Sequence, residues 1–128
     1  MQERQQDEIW EMMEENFLYE KILTDLLNKY WSYDDHVIDA ILRIPGLEIK
    51  QQVEKIDNLK VLIYSNDHLP AHFHVISNDK QVDAKFRIDD GTLISGKIST
   101  KDVKKITVFY NSSKTKLILK KIWDKRNN

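Results

Sequence analysis

His72-Phe73-His74-Val75-Ile76-Ser77-Asn78-Asp79-Lys80-Gln81-Val82-Asp83-Ala84-Lys85-Phe86-Arg87-Ile88 reads as two strands joined by a tight turn. The second half alternates cleanly. Val82, Ala84, Phe86 and Ile88 share one side, and Gln81, Asp83, Lys85 and Arg87 the other, as expected of a half-buried strand with a side-chain period of two. In the first half the apolar parity falls on Phe73 and Val75, which turns His72 and His74 away from the core. Ser77-Asn78-Asp79-Lys80 supplies the turn chemistry between them. Antiparallel pairing then gathers His72, His74, Asp83, Lys85 and Arg87 on one polar sheet face.

Working outward, Leu59-Lys60-Val61-Leu62-Ile63-Tyr64 is apolar enough to be a preceding strand, and Ser65-Asn66-Asp67 a turn. Leu47, Ile49 and Val53 suggest a weaker first strand, breaking at Asp57-Asn58. After the Asp89-Asp90-Gly91 turn, Leu93 to Ile98 forms a short fifth strand. The flanks are helical. Residues 7–31 carry an apolar stripe through Ile9, Met13, Phe17, Leu23, Leu26, Leu27 and Tyr30. A second helix is expected after a Ser32 cap, running through Val37, Ile38, Ile41 and Leu42 to Pro45-Gly46. Beyond the sheet, Ser99 or Thr100 caps a helix with Val103, Ile106 and Tyr110 inward. Ser112 or Ser113 caps a last helix through Leu117, Ile118, Ile122 and Trp123. Strands grouped apart from helices predict an α+β fold, an antiparallel sheet of four to five strands packed on two C-terminal helices. The expected organisation is an acidic N-terminal helical hairpin over residues 1–45, then the α+β domain over 46–128.

The chain has 128 residues and no cysteine, which excludes a disulfide framework and thiolate zinc sites. No apolar run is long enough to span a bilayer, and the polar start lacks a signal-peptide core. The reading is a soluble cytoplasmic protein without a membrane partner. The net charge of −1 hides an asymmetry. Residues 1–45 hold 11 Asp/Glu against 4 Lys/Arg, whereas residues 97–128 hold 10 Lys/Arg against only Asp102 and Asp124. Lys101, Lys104, Lys105, Lys114, Lys116, Lys120 and Lys121 therefore form a candidate footprint for nucleic acid or an acidic partner. A solvated helix face is the bland alternative.

Three of the four histidines lie within seven positions, His68, His72 and His74. Two of them, at His-x-His spacing on a strand, stand on one side roughly 7 Å apart. With Lys85 and Arg87 they suit metal-free acid/base work on RNA, His72 or His74 moving the proton and the cations contacting phosphate. With His68 or Asp67 they equally suit a divalent metal such as zinc. A rigid turn leading into a strand, with no chemistry, accounts for the same residues.

The segment Tyr64-Ser65-Asn66-Asp67-His68-Leu69-Pro70-Ala71-His72-Phe73-His74-Val75 resembles the signature of the bacterial family known as domain of unknown function 4160. Val82-Asp83-Ala84-Lys85, Asp89-Asp90-Gly91, Gly96-Lys97-Ile98 and Trp123 follow in matching order, so the resemblance covers roughly residues 47–125. It leaves out the N-terminal helices. Ala71 departs from the pattern, which has a second proline there. The resemblance implies a small bacterial protein found beside another small gene, in an arrangement like a toxin–antitoxin pair. It brings no established catalytic residues; Asp67, His68, His72 and His74 are the matching motif positions.

The leading expectation is thus a toxin–antitoxin-like component that binds or acts on RNA together with a small partner protein, without a cofactor. Two other readings stand beside it. One is a non-enzymatic interaction module docking through its N-terminal helix, with a homodimer through the same helices included. The other is a metal-dependent hydrolase using the histidine cluster.

Overall fold

The computed structural model describes residues 2–47, 57–64 and 70–127. The element order is α1 (Gln2–Trp31), α2 (Asp35–Arg43), β1 (Leu59–Tyr64), β2 (His72–Ser77), β3 (Asp83–Arg87), β4 (Leu93–Lys97), α3 (Thr100–Asn111) and α4 (Ser113–Asn127). The strands form one antiparallel meander in the order β1-β2-β3-β4. The fold is α+β. The expected strand through Ile49 and Val53, the turn carrying Asp67 and His68, and the side chains of Ile9, Trp10 and Met13 lie outside the described residues.

One face of the sheet builds the core. Phe73 is its hub: it stacks on Phe86 at 5.4 Å, directly across the β2–β3 pair, and meets Phe109 of α3 edge-on at 6.1 Å. Val61, Val75, Ala84, Ile106 and Ile122 surround it, together with Leu23 and Leu27 of α1. The second half of α1 therefore shares the core of the sheet. α2 packs against α3 through a smaller cluster of Tyr33, Ile38 and Val108.

α1 does more than pack. It runs antiparallel to β1 along the outer edge of that strand, and its side chains take the strand's outward N–H groups. Ile63 N–H donates to Glu20 Oε2, Val61 N–H to Thr24 Oγ1 and Leu59 N–H to Asn28 Oδ1, each at 3.0 Å. Four helical residues rise about 6 Å and two strand residues about 6.7 Å, so the two repeats stay in step over three bonds. Asn28, with no exposed surface, also accepts from Asn58 N–H and donates to the carbonyls of Leu59 and Thr24. An edge strand that would otherwise present unpaired backbone groups is sealed by a helix.

The local signals are specific. Ser99 caps α3 by accepting from Asp102 N–H, and Ser112 Oγ accepts from Thr115 N–H at the start of α4. The expected Ser32 cap is not formed. Ser32 Oγ instead donates to Asn28 O, one turn back in α1, and Asp34 occupies the N-cap position of α2 without a side-chain bond. Leu117, read as part of the apolar stripe, is 56% exposed; Leu119 takes the inward place. Two glycines are structural. A Cβ at Gly91 would meet the Tyr110 ring at 2.7 Å, and one at Gly96 would lie 2.3 Å from the Asp83 carbonyl oxygen, where β4 closes on β3.

Replacing Asn28 by alanine strands the Leu59 N–H and C=O. At about 1–3 kcal/mol for each buried group left unpaired, the expected loss is about 3 kcal/mol, read by urea denaturation. Asn28→Asp, which sets a buried carboxylate oxygen against the Leu59 and Thr24 carbonyls, is expected to lose at least as much. A loss below about 1 kcal/mol for Asn28→Ala would remove the edge seal from this role.

Candidate functional site

The face opposite the core is organised as three rows across the strands. Tyr64, His72 and Arg87 form one; Leu62, His74, Lys85 and Ser95 the next; Lys60, Ile76, Asp83 and Lys97 the third. Lys60, Tyr64, Lys85, Ser95 and Lys97 are exposed. The four residues expected to form a phosphate-directed group, His72, His74, Lys85 and Arg87, are thus brought together, with His72 opposite Arg87 and His74 opposite Lys85.

The two histidines are held differently. His72 is 8% exposed, and its ring stacks on Tyr64 with centroids 5.1 Å apart and planes 20° apart. Its Nδ1 lies 3.1 Å from the carbonyl oxygen of Pro70. A carbonyl can only accept, so Nδ1 carries the proton. His74 is turned along the sheet diagonal, and its Nε2 lies 2.5 Å from Asp83 Oδ1. That carboxylate fixes Nε2 as the protonated nitrogen, so in the neutral ring Nδ1 keeps the lone pair. A carboxylate holding an imidazole in one tautomer is the arrangement that orients a general base.

The cations also divide. Arg87 is held by a fork of two bonds to Asp89, Nε to Oδ1 at 2.8 Å and Nη2 to Oδ2 at 2.7 Å, with Asp90 at 3.7 Å. The bond to Arg87 holds the Asp89 carboxyl below its ordinary range, and the same bond raises Arg87. The pair's contribution is therefore present above the ordinary carboxylate range and is lost as pH falls below it. Lys85 makes no hydrogen bond or ion pair among the described residues. Lys97 Nζ donates to Gln81 Oε1 at 3.3 Å.

The basic C-terminal helices are partly neutralised from within. Lys101 pairs with Asp35 at 2.8 Å and Lys104 with Asp39 at 3.3 Å. Lys125 pairs with Glu15, whose carboxyl it lowers, with Tyr19 adding to the shift. Lys105 donates to the Trp31 carbonyl at 3.2 Å and lies over the Trp31 ring; Lys116 lies over the ring of Tyr110. Of the seven lysines read as a footprint, Lys114 and Lys120 stay exposed without such a partner among the described residues, and Lys121 adds to the lowering of Glu15.

Sequence reasoning missed Tyr64, Lys60, Ser95 and Lys97 as members of the face, though a parity test on the first and last strands would have placed them. Asp67 and His68 lie outside the described residues. Among those described, no three His, Asp or Glu side chains cluster as metal ligands, and no helix is long and apolar enough to cross a membrane.

No curated protein and no solved structure matches the chain. The sequence profile described as "Domain of unknown function (DUF4160)" matches residues 58–123, from the start of β1 through Trp123, leaving α1 and α2 outside. With more than half of its length in that match, including the strands that carry His72, His74, Asp83 and Lys85, the chain belongs to the DUF4160 family.

Proposed function

We propose that the open face of the sheet binds single-stranded RNA, and that the protein is the RNA-contacting member of a toxin–antitoxin-like pair. One observation carries the RNA reading. The face presents Lys60, Lys85 and Lys97 around a single carboxylate, Asp83, which is itself bonded to His74. By contrast, Lys101 and Lys104 are neutralised by the chain's own acids. A cationic sheet with an aromatic step is what single strands use, the phosphates following the charge and the bases stacking on rings. Tyr64, 37% exposed and stacked on His72, is that step. The pairing with a small partner protein rests only on the sequence resemblance of residues 64–75.

The same face holds the parts for acid/base chemistry. His74 Nδ1 would take the proton of a ribose 2′-hydroxyl, and Lys85 beside it would stabilise charge developing on the phosphate. A second reading, docking of a partner protein through α1, is favoured by Phe17 and Leu18, which are 68% and 54% exposed on that helix.

Fluorescence anisotropy with an RNA of about 12 nucleotides tests the proposal. Lys85→Gln with Lys97→Gln is expected to weaken binding about tenfold and to flatten the log K against log salt slope by about 1.4, two contacts at about 0.7 each. Lys101→Gln with Lys104→Gln is expected to change it less than twofold. The opposite ranking would move the interface to the helices. Asp89→Asn releases Arg87 and is expected to tighten RNA binding about threefold; weaker binding would show that Asp89 itself supports the site. For the docking reading, Phe17→Ser with Leu18→Ser should abolish co-purification with the product of the neighbouring gene while leaving RNA affinity unchanged. Undiminished co-purification would set α1 aside.

A further inference from the structure

We infer that Lys80, Lys85, Lys97 and the Ser95 hydroxyl form a seat for a single phosphoryl group, next to the His74–Asp83 pair. Its use in gripping an RNA backbone rests on the RNA reading above. These side chains line one depression of about 450 Å³ with Asp83 and Gly96. Three lysines line it against one carboxylate, and Asp83 is already bonded to His74. Lys80 and Lys85 have no ion pair among the described residues, and Lys97 donates to the neutral Gln81 and adds a weak lowering of the Asp79 carboxyl. Gly96 lets β4 close on the Asp83 carbonyl, and the small Ser95 beside it lines the depression on the β4 side. The place suits an anion of one phosphoryl group's size and charge more than an extended acidic peptide.

A second observation is independent of charge. Lys80 has φ +61°, and is the sole non-glycine with positive φ among the described residues. That backbone region favours glycine, or asparagine and aspartate, and penalises a lysine. The turn does not need the lysine side chain. Ser77 Oγ donates to Asp79 Oδ1, Gln81 N–H donates to the same oxygen, and Lys80 enters the turn only through its backbone N–H to Ser77 O. The chain thus holds a cation in an unfavourable conformation at the rim of a depression already lined by two others. Strain kept at such a place points to a use for the side chain.

Lys80→Gly separates the two roles because they move in opposite directions. Removing the strain should raise the thermal midpoint by about 2–5 °C, while removing the ammonium should weaken inorganic phosphate binding about fivefold. Binding is read on the full chain by the amide shifts of Ser95, Gly96 and Lys97, at constant ionic strength. Lys80→Asn provides a second variant suited to the same backbone. Saturating phosphate shifts that weaken in both variants support the seat. Amides unmoved by phosphate, or variants that gain stability with phosphate affinity unchanged, overturn it. If RNA still binds the wild type and the variants equally while phosphate moves none of these amides, the seat fails and the RNA reading stands. If phosphate binds here but the wild type binds no RNA, the seat stands and the RNA reading fails.

Discussion

The fold depends on how α1 meets β1. A four-stranded meander has two edges and two faces, and only one face can be buried by α3 and α4. Glu20, Thr24 and Asn28 turn α1 into a substitute neighbour strand, pairing with Ile63, Val61 and Leu59. The adjacent stripe of Leu23 and Leu27 enters the core. One helix therefore seals an edge and completes a hydrophobic layer at once. The cost of a buried asparagine is offset because its amide uses both its oxygen and its nitrogen; among the described residues no buried side-chain polar atom lacks a partner.

The same helices settle much of the chain's charge. The acidic front and basic tail attract each other, and Asp35, Asp39 and Glu15 take up Lys101, Lys104 and Lys125. Each exposed pair is worth little to stability, about 0–1 kcal/mol. Their larger effect is on the surface potential. Cations on the helices are partly cancelled, while those on the open sheet face outnumber its one carboxylate, Asp83, which is bonded to His74. The surface with unbalanced charge is the one that carries His72 and His74. Arg87 is the exception, held by Asp89 at the end of β3.

Much of this was legible in the sequence, and the limits have physical causes. Parity alone placed Phe73, Val75, Ala84 and Phe86 inside and His74 and Lys85 outside, because a strand's period leaves little freedom once one face is apolar. The α1 ladder was not legible. Glu20, Thr24 and Asn28 look like an ordinary solvated helix face until the strand they serve is known. Ser32 had the chemistry of a cap, yet its hydroxyl found a carbonyl of its own helix first. The His74–Asp83 bond depends on a diagonal set by the register of the hairpin, which the turn residues alone do not fix. The conformation of Lys80 was hidden for the same reason. Nothing in a Ser-Asn-Asp-Lys turn says which residue takes the left-handed position.

On the proposed reading the open sheet face, rather than the basic helices, meets RNA. Ultraviolet cross-linking of a bound single strand, with the linked peptides mapped by mass spectrometry, tests it most directly. An RNA-binding sheet predicts cross-links at Tyr64 and on the segment from His72 to Arg87, with few on α3 and α4. Cross-links confined to the segment from Lys101 to Lys121, with Tyr64 and the histidine strand unlabelled, would contradict it.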